Sequence, residues 1–203
     1  MISVNQYFPI FETCINQYHV KDSVDQALEN PYQEGSFEAL LFHKCWIDTV
    51  QWHFEDLIRE PGIDPQGGMD LKRRIDKSNQ KRTDMVEQMD DWFLDSFKEV
   101  AAKKEANLNT ESPAWVVDRL SILALKIYHM QEQASRSDVD DTHRQKSKVR
   151  LDVLLEQKQD LTTAFGQLLD EYKAGSKVMK VYRQMKLYND PTTNPALYGK
   201  PNH

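Results

Sequence analysis

The sequence predicts an all-α fold: a single-domain bundle of four long helices around a buried central helix, with short helices at both ends. Three observations carry this. Only seven glycines and eight prolines occur in 203 residues, and none lies between Met69 and Ser112 or between Ala114 and Phe165. Tracts free of the two residues that break helices are helix-permissive. Alternating β-branched runs, the mark of half-buried strands, are nearly absent. Finally, the stretch Glu111–Met130 reads E-S-P-A-W-V-V-D-R-L-S-I-L-A-L-K-I-Y-H-M. Ser112 suits an N-cap and Pro113 a first turn. The helix that follows is apolar on nearly all sides, which places it inside a bundle. Asp118, Arg119, Lys126 and His129 interrupt the apolar runs and make them too short for a membrane span.

The remaining elements follow in order. Residues 1–35 read as one or two short helices. Phe11, Cys14, Ile15 and Tyr18 form one apolar side, and Ser23 with Gln26 fits a capping box for a second helix ending near Asn30. Ser36 caps a long helix over 37–60 with a core stripe of Leu40, Ile47, Val50, Phe54 and Leu57. A polar stripe runs beside it: Asp48, Gln51, Trp52, Glu55 and Arg59, flanked by His53. Pro61–Gly68 is the clearest loop. A helix over about 69–104 follows, in which Ser78 and Arg82 occupy positions where the pattern asks for apolar residues, flanked by Asp76 and Asn79. Its first half is basic through Arg73, Arg74, Lys77 and Lys81. After the central helix, Ser137-Asp138 restart a helix over about 139–173, with Gly175 as its stop. A last short helix is predicted over about 177–189, and 190–203 is a Pro-rich, extended tail. The domain is therefore expected to span 1–189.

Net charge is −6, from 26 basic and 32 acidic residues. Residues 173–203 hold six Lys/Arg against one acid, so the first 172 residues are strongly acidic. An acidic body argues against general nucleic-acid binding. The basic tail, with Tyr182 and Tyr188, reads as a solvated face. Cys14 and Cys45 lack metal-ligand spacing and suit a reduced, cytoplasmic protein. No signal peptide or lipidation motif begins the chain.

Buried charges have to be paired or neutralised. Those on the central helix and its neighbours therefore define either an interhelical salt-bridge network or a ligand site. The candidate residues are Asp48, His53, Glu55 and Arg59; Asp76, Asn79 and Arg82; Asp118, Arg119, Lys126 and His129. Convergence of Arg73, Arg74, Lys77, Arg82, Arg119 and Lys126 would suit a phosphate or carboxylate. Asp48, Glu55, Asp56, His53 and His129 are suitable metal-ligand types. However, neither Glu-x-x-His nor His-Glu-x-x-His occurs, so the sequence assigns no metal ligands; a constellation assembled across helices stays open, and the cofactor is unknown. Glu87-Gln-Met-Asp90 matches one half of the magnesium-binding pairs of all-α pyrophosphohydrolases. No nucleophile elbow or P-loop is present.

Four blocks together resemble a bacterial domain-of-unknown-function family of about this length. They are W-I-D-T-V-Q-W-H-F-E-D (Trp46–Asp56), L-K-R-R-I-D-K-S-N-Q-K-R-T-D (Leu71–Asp84), the central block, and V-Y-R-Q-M-K-L-Y-N-D-P (Val181–Pro191). The E-S-P-x-x-x-x-D-R-L-S-I-L core also resembles a second uncharacterised bacterial family. The resemblance implies a setting near glycosyltransferase or lipopolysaccharide-assembly genes, and it brings no catalytic residue to carry over. The expectation is a binding protein or enzyme for a small anionic ligand, such as a sugar nucleotide or phosphosugar, linked to surface-polysaccharide assembly. The alternatives are a non-catalytic helical scaffold, with a homodimer as one form, and a metal-dependent all-α hydrolase. The residues do not decide between enzyme and binding protein.

Overall fold

The computed structural model describes residues 2–187 and 190–199. A single 3-10 turn, Val4–Gln6, leads into α1 (Tyr7–Lys21), followed by α2 (Phe37–Leu57), α3 (Pro65–Phe97), α4 (Pro113–Ser135), α5 (Asp141–Lys173) and the one-turn α6 (Pro195–Tyr198). The architecture is all-α, as the sequence predicts. No described helix is long and apolar enough to cross a membrane.

Local chemistry sets the helix ends. Ser36 caps α2 by accepting from the Ala39 N–H at 3.1 Å. Asp64 caps α3 by accepting from Gln66 and Gly67, with Pro65 in the first turn. This Asp-Pro pair starts α3 inside the stretch expected to be loop, four residues before Met69. Asp140, rather than Ser137 or Asp138, caps α5 through the His143 N–H at 2.7 Å. Gly175, at φ +66°, turns the chain out of α5, and a Cβ there would lie 2.5 Å from the Ala101 carbonyl oxygen. Only glycine fits both the left-handed backbone and that approach. The contact fixes the loop after α3, where Lys103 N–H donates to Gly175 O at 2.9 Å. The chain leaves α3 after Phe97, short of the expected Lys104.

Two expected short helices are not formed. Residues 23–30 run as a strap held by side chains: Gln26 Nε2 donates to Tyr18 O at 2.9 Å and Asn30 Nδ2 to Ala39 O at 2.8 Å. So short a segment is a marginal helix, and these bonds replace its own. Residues 178–186 form no helix either. Val178 N–H donates to Asn107 O at 2.9 Å, and Asn107 and Lys177 form an isolated parallel bridge. Beyond it Arg183 binds Asp91 and the Glu87 carbonyl, and Lys186 reaches the Asn79 carbonyl at 3.2 Å. The segment is a strap along α3. The expected tail contains α6, and its last four residues lie outside the described ones, as do Tyr188 and Asn189.

Helix α4 touches α1, α2, α3 and α5, so it is central. Ala114, Val117, Leu120, Leu123, Leu125 and Ile127 are buried, and Arg119 and Lys126 reach solvent. At one end of the core an aromatic cluster joins four elements. Phe37 stacks on Trp92 at 3.9 Å between centroids, and Phe93, Phe165 and Tyr7 surround it edge-on or tilted. Such pairs add about 0.5–1.5 kcal/mol each beyond their burial. The thiols of Cys14 and Cys45 cross the α1–α2 contact, donating to the carbonyls of Phe42 and Phe11. Burial holds the Cys14 thiol well above its usual pKa, which makes it a packing group rather than a nucleophile.

Candidate functional site

Three polar clusters stand out among the described residues. At the first, α2, α3 and α4 bring together Lys44, Asp48, Arg82, Asp118 and Ser121. Lys44 and Asp48 are one turn apart on α2, both side chains are fully buried, and they form an ion pair. Lys44 Nζ also lies 2.8 Å from Asp118 Oδ1. Arg82 Nε donates to Asp48 Oδ1 at 2.7 Å, and its Nη2 lies 3.4 Å from Asp118 Oδ1. Ser121 Oγ donates to Asp48 Oδ2 at 2.6 Å. Burial works against the Arg82 cation, but Asp48 and Asp118 outweigh it and raise its pKa. Two cations and two anions thus close on themselves. Arg82 and Asp118 keep about a fifth of their side chains exposed, at the floor of a cleft of ≈ 220 Å³ that Asp76, Asn79, Trp115 and Lys186 also line.

The second place is a cleft of ≈ 390 Å³ between α2, α3 and the 23–30 strap. One wall is apolar, with Trp46, Ile47, Val50 and Phe54; the other carries Arg74, Lys77, Ser78 and Lys81, with His43 between. Arg74 pairs with Asp25 and lies 4.5 Å over the Phe54 ring. Among the described residues Lys77 and Lys81 form no ion pair, and the Ser78 hydroxyl is buried without a hydrogen-bond partner. Burial, with Lys81 alongside, lowers the His43 pKa.

The third place joins His19 of α1, His53 of α2 and His129 of α4, each of which brings one ring nitrogen within 4.8 Å of the others'. Each histidine follows an aromatic residue in sequence, and each of those aromatics stacks on the histidine of another helix. Tyr18 stacks on His53 at 4.9 Å, Trp52 on His129 at 4.8 Å and Tyr128 on His19 at 4.3 Å. Burial lowers the His53 pKa, as do His19 and His129, against Asp22 and Asp56. Beside His129 a largely apolar groove of ≈ 640 Å³ runs between α4 and α5, lined by Trp52, Met130, Val149, Val153 and Leu154.

Of the residues singled out from sequence, Asp48, Arg82 and Asp118 therefore meet, with Asp76 and Asn79 at the edge of their cleft. His53 and His129 meet elsewhere. Glu55 and Arg59 pair with each other on the surface. Arg119 is exposed, and Lys126 lies on the rim of the apolar groove. The six basic residues expected to converge do not. Arg73 pairs with Asp70, Arg74 and Lys77 face the second cleft, and Arg82 is held by the two aspartates. The sequence reading missed Lys44, whose signal is a lysine four residues before Asp48 within an apolar helix. It also missed His19, whose signal is the repeated aromatic-His dipeptide.

The fold and these sites define a helical-bundle protein with a self-neutralised ionic core and pockets opening between its helices. Over residues 38–181 the chain matches, and belongs to, the family described as Protein of unknown function (DUF4254). Comparison with curated proteins and with solved structures gives no match. The matched span holds all four members of the ionic quartet and the basic wall of the second cleft, but not His19.

Proposed function

We propose that this protein binds a small phosphorylated ligand in the cleft between α2 and α3. The carrying observation is that Lys77 and Lys81, without an ion pair among the described residues, share one wall with the Ser78 hydroxyl, likewise without a partner among them. Lysine ammonium groups and a hydroxyl donor suit phosphate oxygens, while Trp46, Val50 and Phe54 offer an apolar wall to the body of the ligand. A volume of ≈ 390 Å³ lies at the lower end of the usual range for ligand sites, about 300–1,000 Å³. It favours a phosphosugar over the larger sugar nucleotide. The ionic quartet does not take this role, because its cations are already neutralised by its own carboxylates. A place in surface-polysaccharide assembly fits such a ligand and the resemblance noted in the sequence.

The test is calorimetric titration with a hexose 1-phosphate and with inorganic phosphate, against the parent hexose. Binding of the phosphate ester but not the hexose, weakened by about tenfold or more in Lys77→Gln/Lys81→Gln, is expected; each lost charged hydrogen bond is worth about 1.5–3 kcal/mol. Equal heats in the variant, or none in the wild type, would reject the reading.

A second reading, a helical interaction protein, is supported by the apolar groove between α4 and α5, where Val149 and Val153 are about half exposed. Exposed apolar surface of this kind marks contact sites. Light scattering that shows a dimer in the wild type and a monomer in Val153→Glu would favour it.

A further inference from the structure

We propose that His19, His53 and His129 form a binding site for a divalent transition-metal ion of the zinc class, joining α1, α2 and α4. The geometry is independent of the phosphate cleft. His19 Nδ1 lies 2.7 Å from the Ile15 carbonyl oxygen. That oxygen can only accept, so Nδ1 carries the proton and Nε2 presents its lone pair. His129 repeats the arrangement: Nδ1 lies 2.8 Å from Glu132 Oε2, again leaving Nε2 bare. That Nε2 is buried and has no hydrogen-bond partner. His53 Nε2 sits 3.2 Å from His19 Nε2. A hydrogen bond between those two rings satisfies both, but it leaves His129 Nε2 orphaned. A cation at the centre satisfies all three lone pairs.

One edge of the triad already has the spacing of a metal site, and all three ligand nitrogens lie within 4.8 Å of one another. Tetrahedral Zn–N bonds of about 2.0–2.1 Å give ligand–ligand edges of about 3.3 Å, close to the His19–His53 separation. Imidazole nitrogens suit zinc, copper, nickel and iron rather than magnesium or calcium. Ligating histidines characteristically donate their second N–H to a carbonyl or carboxylate, which is what Ile15 O and Glu132 supply. The cyclic stacking of Tyr18, Trp52 and Tyr128 holds each ring in orientation before an ion arrives, so little rotamer freedom is left to lose. Negative charge is at hand as well. Asp22 Oδ1 lies 3.8 Å from His53 Nε2, and its residue takes the left-handed backbone at φ 47°, unusual for a non-glycine, where α1 ends. The pattern along the chain hid this site: its ligands are 34 and 76 residues apart, and each helix supplies only one.

The test uses the full chain stripped with a chelator and titrated with Co²⁺, then Zn²⁺. One equivalent per chain, with the intense visible absorption of tetrahedral cobalt and its displacement by Zn²⁺, is expected. His53→Gln and His129→Gln should each weaken binding by about 100-fold, while His43→Gln, in the other cleft, should not. Should those variants fail to fold, Glu132→Gln alters only the exposed carboxylate that orients His129. It should weaken binding by roughly 10–100-fold with an unchanged circular dichroism spectrum. Cobalt that remains octahedral in the wild type, or equal affinity in the wild type and Glu132→Gln, would overturn the site.

Discussion

At the scale of single residues, burial rather than charge type decides what each polar group does. Asp48 is enclosed on α2 and serves Lys44, Arg82 and Ser121 at once. Asp48→Ala leaves a fully buried ammonium and a partly buried guanidinium short of a counter-charge, so it should cost about 3–5 kcal/mol. Asp118 reaches solvent, and water can replace it in part, so Asp118→Ala should cost less. Urea unfolding of the two variants checks the order. Asp90 poses the opposite problem. It is buried beside Ser112, and burial pushes its pKa from 3.8 up to about 6, against Ser112 and Arg183 and with Asp91 and Glu87. Because the folded value lies above the ordinary one, the group favours the fold below the usual carboxylate range. That contribution is lost as pH rises through about 6. Asp90→Asn, neutral at every pH, should therefore melt higher than the wild type at about pH 8 and alike at about pH 4. A constant difference across that range would show that the carboxyl does not titrate there.

At the scale of elements, what could be read in advance was what short-range chemistry determines. Long helices follow from tracts without glycine or proline, and Ser36, Pro113 and Gly175 mark ends that the structure keeps. The short segments escaped, because their backbone bonds go to distant partners: Asn107 for Val178, Tyr18 and Ala39 for the side chains of Gln26 and Asn30. Asp48, Arg82 and Asp118 were legible as polar residues in apolar stripes, whereas Glu55 and Arg59, on the same helical side as Asp48, continue past the core into solvent. Helix α5 shows a difference within one element. Phe165, Leu169 and Tyr172 are buried in the core, but before them only Ser147 is. Residues 141–160 rest mainly on α4, and the groove separates them in part. Local opening is easiest where few apolar groups are buried. Amide exchange should therefore be faster over 141–160 than over 161–173, as mass-resolved hydrogen exchange would show; uniform protection along α5 would contradict it.

At the scale of the molecule, the acidic excess resides in the body, while the basic strap after α5 lies against it, with Arg183 on Asp91. Apart from Asp90, the described interior keeps its charges compensated, because three helices contribute to one neutral quartet. That has a bearing on assembly and on how such a sequence can change. Apolar faces tolerate sliding: a helix displaced by one turn, about 5.4 Å, still finds greasy neighbours. The quartet does not tolerate it, since a slipped α3 would carry Arg82 off Asp48 and Asp118 and leave two carboxylates to share the single charge of Lys44 inside the protein. The four ions thus act as a register mark, admitting one alignment of α2, α3 and α4 among many of similar hydrophobic contact. By the same logic a change at one of these positions should be offset by a compensating change at another, which double-mutant cycles across the quartet would show.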